Sequence, residues 1–472
     1  MSSEETPLLH STLVQDSEES AIRKHQAIYE FFSPTRKRIL VLLVSSCGLL
    51  PLFVSGTLFP VIPQIAKDLN TTGSVISLAV SVSIFGASFG GLCAASYSTF
   101  YGRRPVYLVS LPLLFVGSLG VSTATSVPQL MFWRFVQASG ASPGMTVGAG
   151  VIGDLYRLEE RGGAMGVFLA ACLIGPALAP PIGGFVAHYT SWRVMQFLLG
   201  VLGLCGLILM SLCFPETSHP GARGIDKLQP DERQSWKSLF VNPFSPLELL
   251  RSPNLLSVSL AGFAVLLTDY VLLVPLPFTI AARYNITNEG LIGACFIPAG
   301  LGNLIGAPLA GRISDKIVVK WRERRGGIWY PEDRLRATLP GALFFVPLSI
   351  LLSGLITHFV SGRIGLILNL VCLFANGIGV DIVLSPSVSY TVDVLHSRSA
   401  EAMAANSCFR ALLLSLTVTI IIPLIEKYGV AITDGLFAAF AWVGFIILWL
   451  TIKYGGQMRA WVDVGYSTAS SN

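Results

Sequence analysis

The sequence predicts an all-α membrane protein whose twelve transmembrane helices form two six-helix pseudo-repeats. Three observations predict this fold class: the composition, a series of long apolar segments, and the gathering of basic residues on one side of those segments. The chain has 472 residues, 52% hydrophobic and 12% charged, and its mean hydropathy is +0.66. Soluble proteins carry about 25% charged residues. The composition therefore excludes a soluble globular enzyme, and a net charge of +5 is too small to indicate a nucleic-acid partner.

Twelve segments are long and apolar enough to cross a bilayer as helices, since each crossing needs about 20 predominantly apolar residues. Strands of a transmembrane barrel would be shorter and would alternate in polarity, and these segments do neither. In chain order, spans 1 to 12 are predicted at residues 39–63, 75–98, 105–125, 128–150, 163–187, 194–214, 255–281, 289–312, 335–357, 363–390, 399–425 and 431–454.

Polar stretches around these spans divide the chain into five parts. The longest internal stretch falls between spans 6 and 7 and separates two sets of six spans. The predicted parts are a cytoplasmic N-terminal tail (1–37), a six-helix bundle (38–214), a central cytoplasmic loop (215–254), a second six-helix bundle (255–454) and a cytoplasmic C-terminal tail (455–472).

The basic residues predict the orientation of the bundle. Of the 32 Lys and Arg residues, most fall on the side that carries both tails and the central loop. Two lie within spans, Arg134 and Arg410. The opposite side receives only Lys67, Arg193, Arg283, Arg363 and Lys427. Because cytoplasmic loops carry an excess of Lys and Arg, both termini are expected in the cytoplasm.

Two short sequence patterns fit this orientation. Asn70-Thr71-Thr72 and Asn285-Ile286-Thr287 have the form of N-glycosylation acceptors, and both fall in predicted outer loops. Asn70 and Asn285 are therefore candidate glycosylation sites, although each loop is short.

The two sets of spans show signs of a duplication. Span 1 begins near residue 39 and span 7 near residue 255, and a short basic turn follows the second span of each set, Gly102-Arg103-Arg104 in the first and Gly311-Arg312 in the second. In transporters built from repeats, the substrate site lies near the bilayer midplane between the halves, and one half rocks against the other.

Four motifs carry a resemblance to a known family. Gly102-Arg103-Arg104 keeps the second half of a signature found between spans 2 and 3, and Pro215-Glu216-Thr217 closes span 6. Span 4 and span 5 carry the remaining two motifs, at Arg134, Gln137 and Gly140, and at Gly166, Gly175, Pro180, Gly183 and Gly184. With these motifs the chain resembles the major facilitator superfamily, and within it the fungal twelve-span drug–proton antiporters. The resemblance covers about residues 38–455 and implies the major facilitator fold.

The resemblance implies roles for several of these residues. In the family, the arginine that matches Arg134 is implicated in proton coupling, and the span 5 motif of Gly175, Pro180, Gly183 and Gly184 is associated with export. Glycine and proline also let helices approach closely and bend, so simple packing is the alternative interpretation of that motif.

Charged residues within spans are the main candidates for mechanism, since a charge inside the bilayer is costly and marks a functional site by default. Four lie well inside spans, namely Arg134, Asp269, Asp381 and Arg410. Asp269 and Asp381 are candidates to carry a proton or bind a cationic substrate, and Gln137 and Asn376 to line the site. Either aspartate could instead be paired permanently with Arg410 or with a neighbouring hydroxyl.

A second group of residues suggests a conformational latch at the inner ends of the spans. Gly102, Arg103 and Arg104 are expected beside Asp154 and Arg161. Arginine–carboxylate pairs there could hold the outward-facing state and break on opening. Thr99 replaces the acidic residue of the family signature in the first half, whereas Asp315 retains it in the second. The alternative is that these arginines only anchor the topology.

These observations predict a proton-coupled antiporter that exports drugs or secondary metabolites by alternating access, with organic acids or other metabolite anions as the alternative substrates. The sequence has no Gly-x4-Gly-Lys-Ser/Thr loop for ATP, and its scattered histidines and cysteines predict no metal, no cofactor and no enzyme. The expected partners are a small-molecule substrate, protons and the lipid bilayer, and we expect a monomer. The plasma membrane is the expected location, with the vacuolar membrane as the alternative because Glu4-Glu5-Thr6-Pro7-Leu8-Leu9 resembles an acidic dileucine sorting signal.

Overall fold

The computed structural model describes residues 32–156, 160–219, 221, 223–228, 241–395 and 399–462 as a bundle of long helices. Eleven helices of the described part are long and apolar enough to cross a membrane. The remaining crossing, span 4, consists of two shorter helices in sequence, Val127–Ala141 and Pro143–Leu155. Pro143 explains the break, because proline lacks the backbone N–H that a continuous helix needs. The structure therefore has twelve crossings, as the sequence predicts.

The first six spans form the N-terminal half. Their helices are Pro34–Gly56 with Ile62–Asp68 (span 1), Gly73–Tyr101 (span 2), Arg103–Ser122 (span 3), Val127–Ala141 and Pro143–Leu155 (span 4), Arg161–Tyr189 (span 5) and Trp192–Cys213 (span 6). A short helix, Gly224–Lys227, and a 3-10 helix, Ser245–Arg251, lie between the halves along the chain.

The last six spans form the C-terminal half. Their helices are Pro253–Leu273 (span 7), Glu289–Ala294 and Ile297–Arg324 (span 8), Val346–Phe359 (span 9), Gly362–Val394 (span 10), Ser399–Tyr428 (span 11) and Val430–Trp461 (span 12). A turn of helix, Ile280–Arg283, precedes span 8, and the short helices Glu332–Leu335, Arg336–Thr338 and Gly341–Phe345 lead into span 9.

Three spans differ clearly in length from the sequence prediction, and one of them is span 8, whose helix runs on to Arg324, past the expected boundary at residue 312. Span 7 was expected to reach residue 281, but its helix ends at Leu273. Pro275 and Pro277 follow directly, and neither has an N–H to continue the helix. The helix of span 12 runs on to Trp461, past the expected boundary at residue 454.

Side-chain caps and turns define several helix ends. Ser33, Thr72 and Ser191 precede spans 1, 2 and 6, and each accepts a hydrogen bond from a backbone N–H three residues further on. Asn70 and Asn285 have positive φ angles of 49° and 54° in the turns before spans 2 and 8, and both are exposed. Asparagine tolerates this left-handed conformation better than most residues.

In the described structure, the two halves pack together at one end of the bundle and separate towards the other. We call the end that carries the turns at Asn70 and Asn285 the closed end, and the end that carries the basic turns the open end. At the closed end, one buried apolar cluster combines residues of both halves, and the rings of Phe59 and Phe296 stack with centroids 6.1 Å apart. Towards the open end, each half has its own apolar cluster.

Spans 5 and 8, which belong to different halves, are also in contact with each other only over part of their described length. Near the middle of the membrane, Gly300 lies directly against Ala177, so close that a side chain on Gly300 would clash. Towards the open end, a side-chain carbon placed on Gly163, Gly166 or Gly311 would meet nothing within 4 Å. The halves therefore separate towards the open end.

Candidate transport site

Arg134 lies fully buried in span 4, within the N-terminal half. Its Nη1 donates to the carbonyl oxygen of Val54 at 3.3 Å and to Gln137 Oε1 at 2.7 Å. Among the described residues, its Nε and Nη2 atoms have no hydrogen-bond partner. Arg134 is thus a buried cation held by neutral oxygens.

Gln137 extends this network across the half. Its Nε2 donates to Ser118 Oγ in span 3 at 2.9 Å and to Gln196 Oε1 in span 6 at 3.0 Å. The network therefore ties spans 1, 3, 4 and 6 together without a carboxylate. Ser118 and Gln196 were missed at the sequence level, because lone polar side chains in apolar spans do not reveal which of them meet.

Asn376 makes a corresponding network in the C-terminal half. Its Nδ2 donates to Thr268 Oγ1 in span 7 at 3.2 Å and to Ser349 Oγ in span 9 at 3.0 Å. Ser349 follows Ser118 by 231 positions, and Asn376 follows Gln137 by 239. Spans 9 and 10 thus repeat the polar contact that spans 3 and 4 make.

The same two separations recur at the open end. Arg103 Nε pairs with Asp154 Oδ2 at 2.9 Å, and Arg334 Nε pairs with Asp393 Oδ2 at 2.7 Å. Arg334 follows Arg103 by 231 positions, and Asp393 follows Asp154 by 239. The duplication is therefore visible as two matched contacts in each half, one inside the membrane and one at its surface.

Asp269 of span 7 and Asp381 of span 10 lie near each other in the C-terminal half. They are close enough for their charges to interact, and both remain partly exposed. No ion pair of the described residues includes either carboxyl group, and Asp381 Oδ2 has no hydrogen-bond partner among them. The two carboxyl groups thus interact electrostatically without a fixed counter-charge among the described residues.

Arg410 does not supply that counter-charge. Its Nη2 atom bonds Ser407 Oγ at 3.4 Å, and its side chain packs against Gly262. Gly262 lies seven residues before Asp269 in span 7, about 10 Å along the helix axis. The permanent pairing of Asp269 or Asp381 with Arg410, an alternative at the sequence level, is therefore not formed.

Unpartnered polar atoms divide between the halves by type. In the described N-terminal half, the charged or amide atoms buried without a partner near mid-membrane are donors, on Arg134 and Gln196. In spans 8 and 10 they are acceptors, the side-chain oxygens of Asn303, Asn376 and Asp381. Arg410 Nε in span 11 is the exception. The interior thus offers hydrogen-bond donors on one side and electron pairs on the other.

The basic turn after span 2 forms a compact cluster within the N-terminal half. Gly102 has φ 108°, and the Glu216 carboxylate accepts the backbone N–H groups of Arg103 at 2.9 Å and Arg104 at 3.1 Å. Burial raises the pKa of Glu216, but bonds from the N–H groups of Arg103 and Ser218 outweigh it, and the net pKa is lowered. Glu216 thus caps span 3 as a carboxylate.

This cluster differs from the latch that the sequence suggested. The Arg103–Asp154 pair joins two elements of one half and stays formed while the open ends lie apart. In the other half, the exposed Asp315 bonds Arg334 Nη1 at 3.1 Å. The side chain of Arg161 lies outside the described residues.

The span 5 motif meets two different neighbours. Gly175 and Gly183 face span 1, where side-chain carbons on them would lie 3.0 Å from Leu52 and 2.6 Å from Thr57. Gly184 faces the backbone of Glu289 at the start of span 8, and the carbonyl oxygen of Pro180 lies against Gly293 of the same span. The motif therefore packs span 5 against both halves.

A polar contact that the sequence did not predict joins the halves at the closed end. His188 Nδ1 lies 2.9 Å from Glu289 Oε2, and Asn288 Nδ2 lies 3.1 Å from His188 Nε2. His188 ends span 5, whereas Asn288 and Glu289 begin span 8. A second contact, from Ser74 Oγ to Glu426 Oε1 at 3.3 Å, joins spans 2 and 11.

Comparison with known proteins places these features in context. The chain matches the family model described as Major Facilitator Superfamily over residues 44–418. It is 31% identical over 376 residues to the MFS-type transporter penM of Penicillium rubens, covering 76% of this chain and 72% of that protein. It is 28% identical to the efflux pump radE of Floropilus chiversii, covering 86% and 78%, and 27% identical to the multidrug transporter AQR1 of Candida glabrata, covering 96% and 82%.

A solved structure shares the fold. The chain aligns with the xylose transporter XylE from E. coli, in a partially occluded inward open conformation, with a TM-score of 0.65 and 16% sequence identity. The alignment covers 88% of this chain and 98% of that one.

Proposed function

Because the chain belongs to the Major Facilitator Superfamily, whose members are transporters of small molecules and not enzymes, we propose that it is a proton-coupled antiporter that exports small organic molecules. The family and the twelve-helix fold predicted from the sequence are confirmed. The chain is a multi-pass membrane transporter with efflux-pump and multidrug-transporter relatives. The proton, the direction and the substrate are the proposed part.

The pair of Asp269 and Asp381 carries the proposal. Two interacting carboxylates without a cation cost electrostatic free energy inside a membrane. The pair therefore favours binding either a proton or a cationic substrate, and the two compete for the same oxygens. Such competition is what an antiporter requires, since each ligand must leave before the other binds.

Arg134 and Gln137 have a supporting role in this proposal. They fix spans 1, 3, 4 and 6 as one unit through neutral hydrogen bonds. Arg134 also keeps two N–H-bearing atoms without a partner in the described residues. We assign these donors to the polar groups of a substrate or to a carboxyl group that approaches when the halves rock.

The predicted orientation relates the conformation of this structure to a step of the transport cycle. Basic residues favour the open end as the cytoplasmic side, and the plasma membrane is the proposed location, with the vacuolar membrane as the alternative. The structure is then an inward-facing state that loads substrate from the cytoplasm. The span 5 motif packs against span 8, and Ser74 of span 2 bonds Glu426 of span 11. These contacts between the halves support the proposal as the surfaces on which the halves rock.

Transport into inverted membrane vesicles tests the proposal. A cationic lipophilic dye should accumulate when the vesicle interior is made acidic, and Asp269→Asn or Asp381→Asn should abolish this pH-driven uptake. Glu323→Gln is a matched control, because Glu323 is an exposed acid at the cytoplasmic end of span 8. Uptake that ignores the pH gradient in the unmodified protein would refute proton antiport.

Metabolite anions are the second candidate substrate class. The observation that favours them is the uncompensated charge of Arg134, which has no carboxylate partner in the described structure. Organic anions should then be taken up in the same vesicles, and Arg134→Gln should remove that uptake while Asp269→Asn leaves it. Transport of the cationic dye alone would exclude this candidate.

A further inference from the structure

A small cavity lies at the closed end of the C-terminal half, and its lining does not include Asp269 or Asp381. It opens between spans 7, 9 and 12 and has room for about one water-sized group. Its polar lining consists of Thr279, Ser353, Thr357 and Asp434. Asp434 was not a candidate at the sequence level, because it lies only four residues after the start of span 12.

Asp434 is a buried acid without a partner. Its residue is 3% exposed, and it forms no hydrogen bond or ion pair with the described residues. Its Oδ2 atom lies beside Gly354 of span 9, where a side-chain carbon would be 3.0 Å away. A buried carboxylate needs a compensating charge or donor unless it binds a proton.

The three hydroxyl groups cannot supply a donor, because each already donates its hydrogen elsewhere. Thr279 Oγ1 donates to the carbonyl oxygen of Pro275 at 3.0 Å. Ser353 Oγ and Thr357 Oγ1 both donate to Asn369 Oδ1, at 2.8 and 3.2 Å. A hydroxyl has one hydrogen and two lone pairs. The polar side chains of the lining therefore present only electron pairs to the cavity.

Nearby helix ends add to this negative potential. Span 7 ends at Leu273, and span 9 ends at Phe359, so both carboxyl-terminal ends lie at this level. Each such end carries a partial negative charge of about half an electron. The amino-terminal end of span 12, one turn before Asp434, favours the ionised form of that side chain.

We propose that Asp434 and the oxygens of Thr279, Ser353 and Thr357 form a binding site for a Na⁺ ion. Oxygen ligands suit a hard cation. A single carboxylate neutralises a single charge, whereas Ca²⁺ sites gather several carboxylates. In other transporters, unwound backbone at broken helices coordinates Na⁺, and here the backbone after Leu273 is interrupted by Pro275 and Pro277.

The bound ion has a structural consequence. It joins spans 7, 9 and 12 at the end of the molecule where the halves meet. Leu272 lines the cavity, and Asp269 lies one helical turn away along span 7. The Na⁺ site and the proposed proton site thus lie beside the same helix but use different oxygens.

Thermal unfolding of the full chain in detergent tests this site. With choline chloride replaced by NaCl at constant ionic strength and pH, the melting temperature should rise in a saturable way, on the order of a few degrees. KCl should raise it less. Asp434→Asn should lose the Na⁺ response, and Thr357→Val should shift its midpoint to several-fold higher Na⁺.

Two control variants keep the result interpretable. Thr451→Val removes another fully buried hydroxyl of span 12, which donates to Ile447 far from the cavity, and should keep the Na⁺ response. Asp269→Asn should also keep it, so that failure here is separate from failure of proton antiport. An unmodified protein without a Na⁺ response, or one whose stability follows pH but not Na⁺, would overturn the proposal and assign a protonated Asp434 to the cavity.

Discussion

Glu216 provides the sharpest test of how the N-terminal half is held together. Its carboxylate accepts two backbone N–H groups at the start of span 3, from Arg103 and Arg104, and two more from Thr217 and Ser218 beside it. Replacing Glu216 by Gln keeps the shape but removes the charge. We expect this variant to fold less stably, because the first turn of span 3 loses its charged cap.

The magnitude follows from the bonds that join different elements. A hydrogen bond to a charged group contributes about 1.5–3 kcal/mol and a neutral one about 1 kcal/mol. Arg103 and Arg104 bond different oxygens of Glu216, and glutamine keeps only one oxygen, so one bond becomes neutral and the other is lost, which together costs about 2–5 kcal/mol. The half-buried position of Glu216 lowers the expectation to about 1–2 kcal/mol. For a half of this size, that corresponds to a melting temperature lower by about 2–8 °C.

The pKa of Glu216 predicts how the difference in stability between the two proteins changes with pH. The pKa of Glu216 is lowered in the folded protein. Its stabilisation is therefore complete above the ordinary glutamate pKa of about 4.3 and is lost as the pH falls through the folded value. The unmodified protein and Glu216→Gln should differ at neutral pH and converge in acid.

The assay is thermal unfolding in detergent at neutral and acidic pH, with Glu323→Gln as the exposed-acid control. Equal melting temperatures at neutral pH would refute the assigned cap. A difference that persists unchanged in acid would show that the amide disturbs the turn sterically, and would refute the electrostatic explanation.

Two further predictions concern the other polar contacts. Arg334→Lys should lower the stability of the C-terminal half by about 1 kcal/mol, because the ammonium group of lysine cannot bond both Asp393 and Asp315 as the arginine guanidinium does. An unchanged melting temperature would contradict this. His188→Ala removes the contact with Glu289 that joins the halves, a contact worth about 1–3 kcal/mol. This variant should therefore increase the labelling of a cysteine introduced at the closed end. Unchanged labelling would show that apolar packing alone keeps that end closed.

Much of the fold could be predicted from the sequence, because long apolar segments and the bias of basic residues are local signals. The break before Pro143 and the early end of span 7 were less visible, since prolines inside membrane spans are often tolerated. Whether a proline ends a helix or is tolerated within it depends on its neighbours in the fold, so the helix ends were predicted less well than the spans.

The candidate site was predicted only in part. Arg134, Asp269 and Asp381 stand out because charge within a span is rare. Gln196 and Asp434 do not, because their environments are made by helices distant in the chain. The partners of a buried polar group depend on tertiary packing, which one sequence does not display.

The unequal separations between matched contacts have a geometric consequence. Span 3 ends four residues beyond Ser118, whereas span 9 ends ten residues beyond Ser349. At 1.5 Å per residue, the later helix projects about 9 Å further from its own network. The turn between spans 9 and 10 therefore lies further from the polar network of its half than the turn between spans 3 and 4 does.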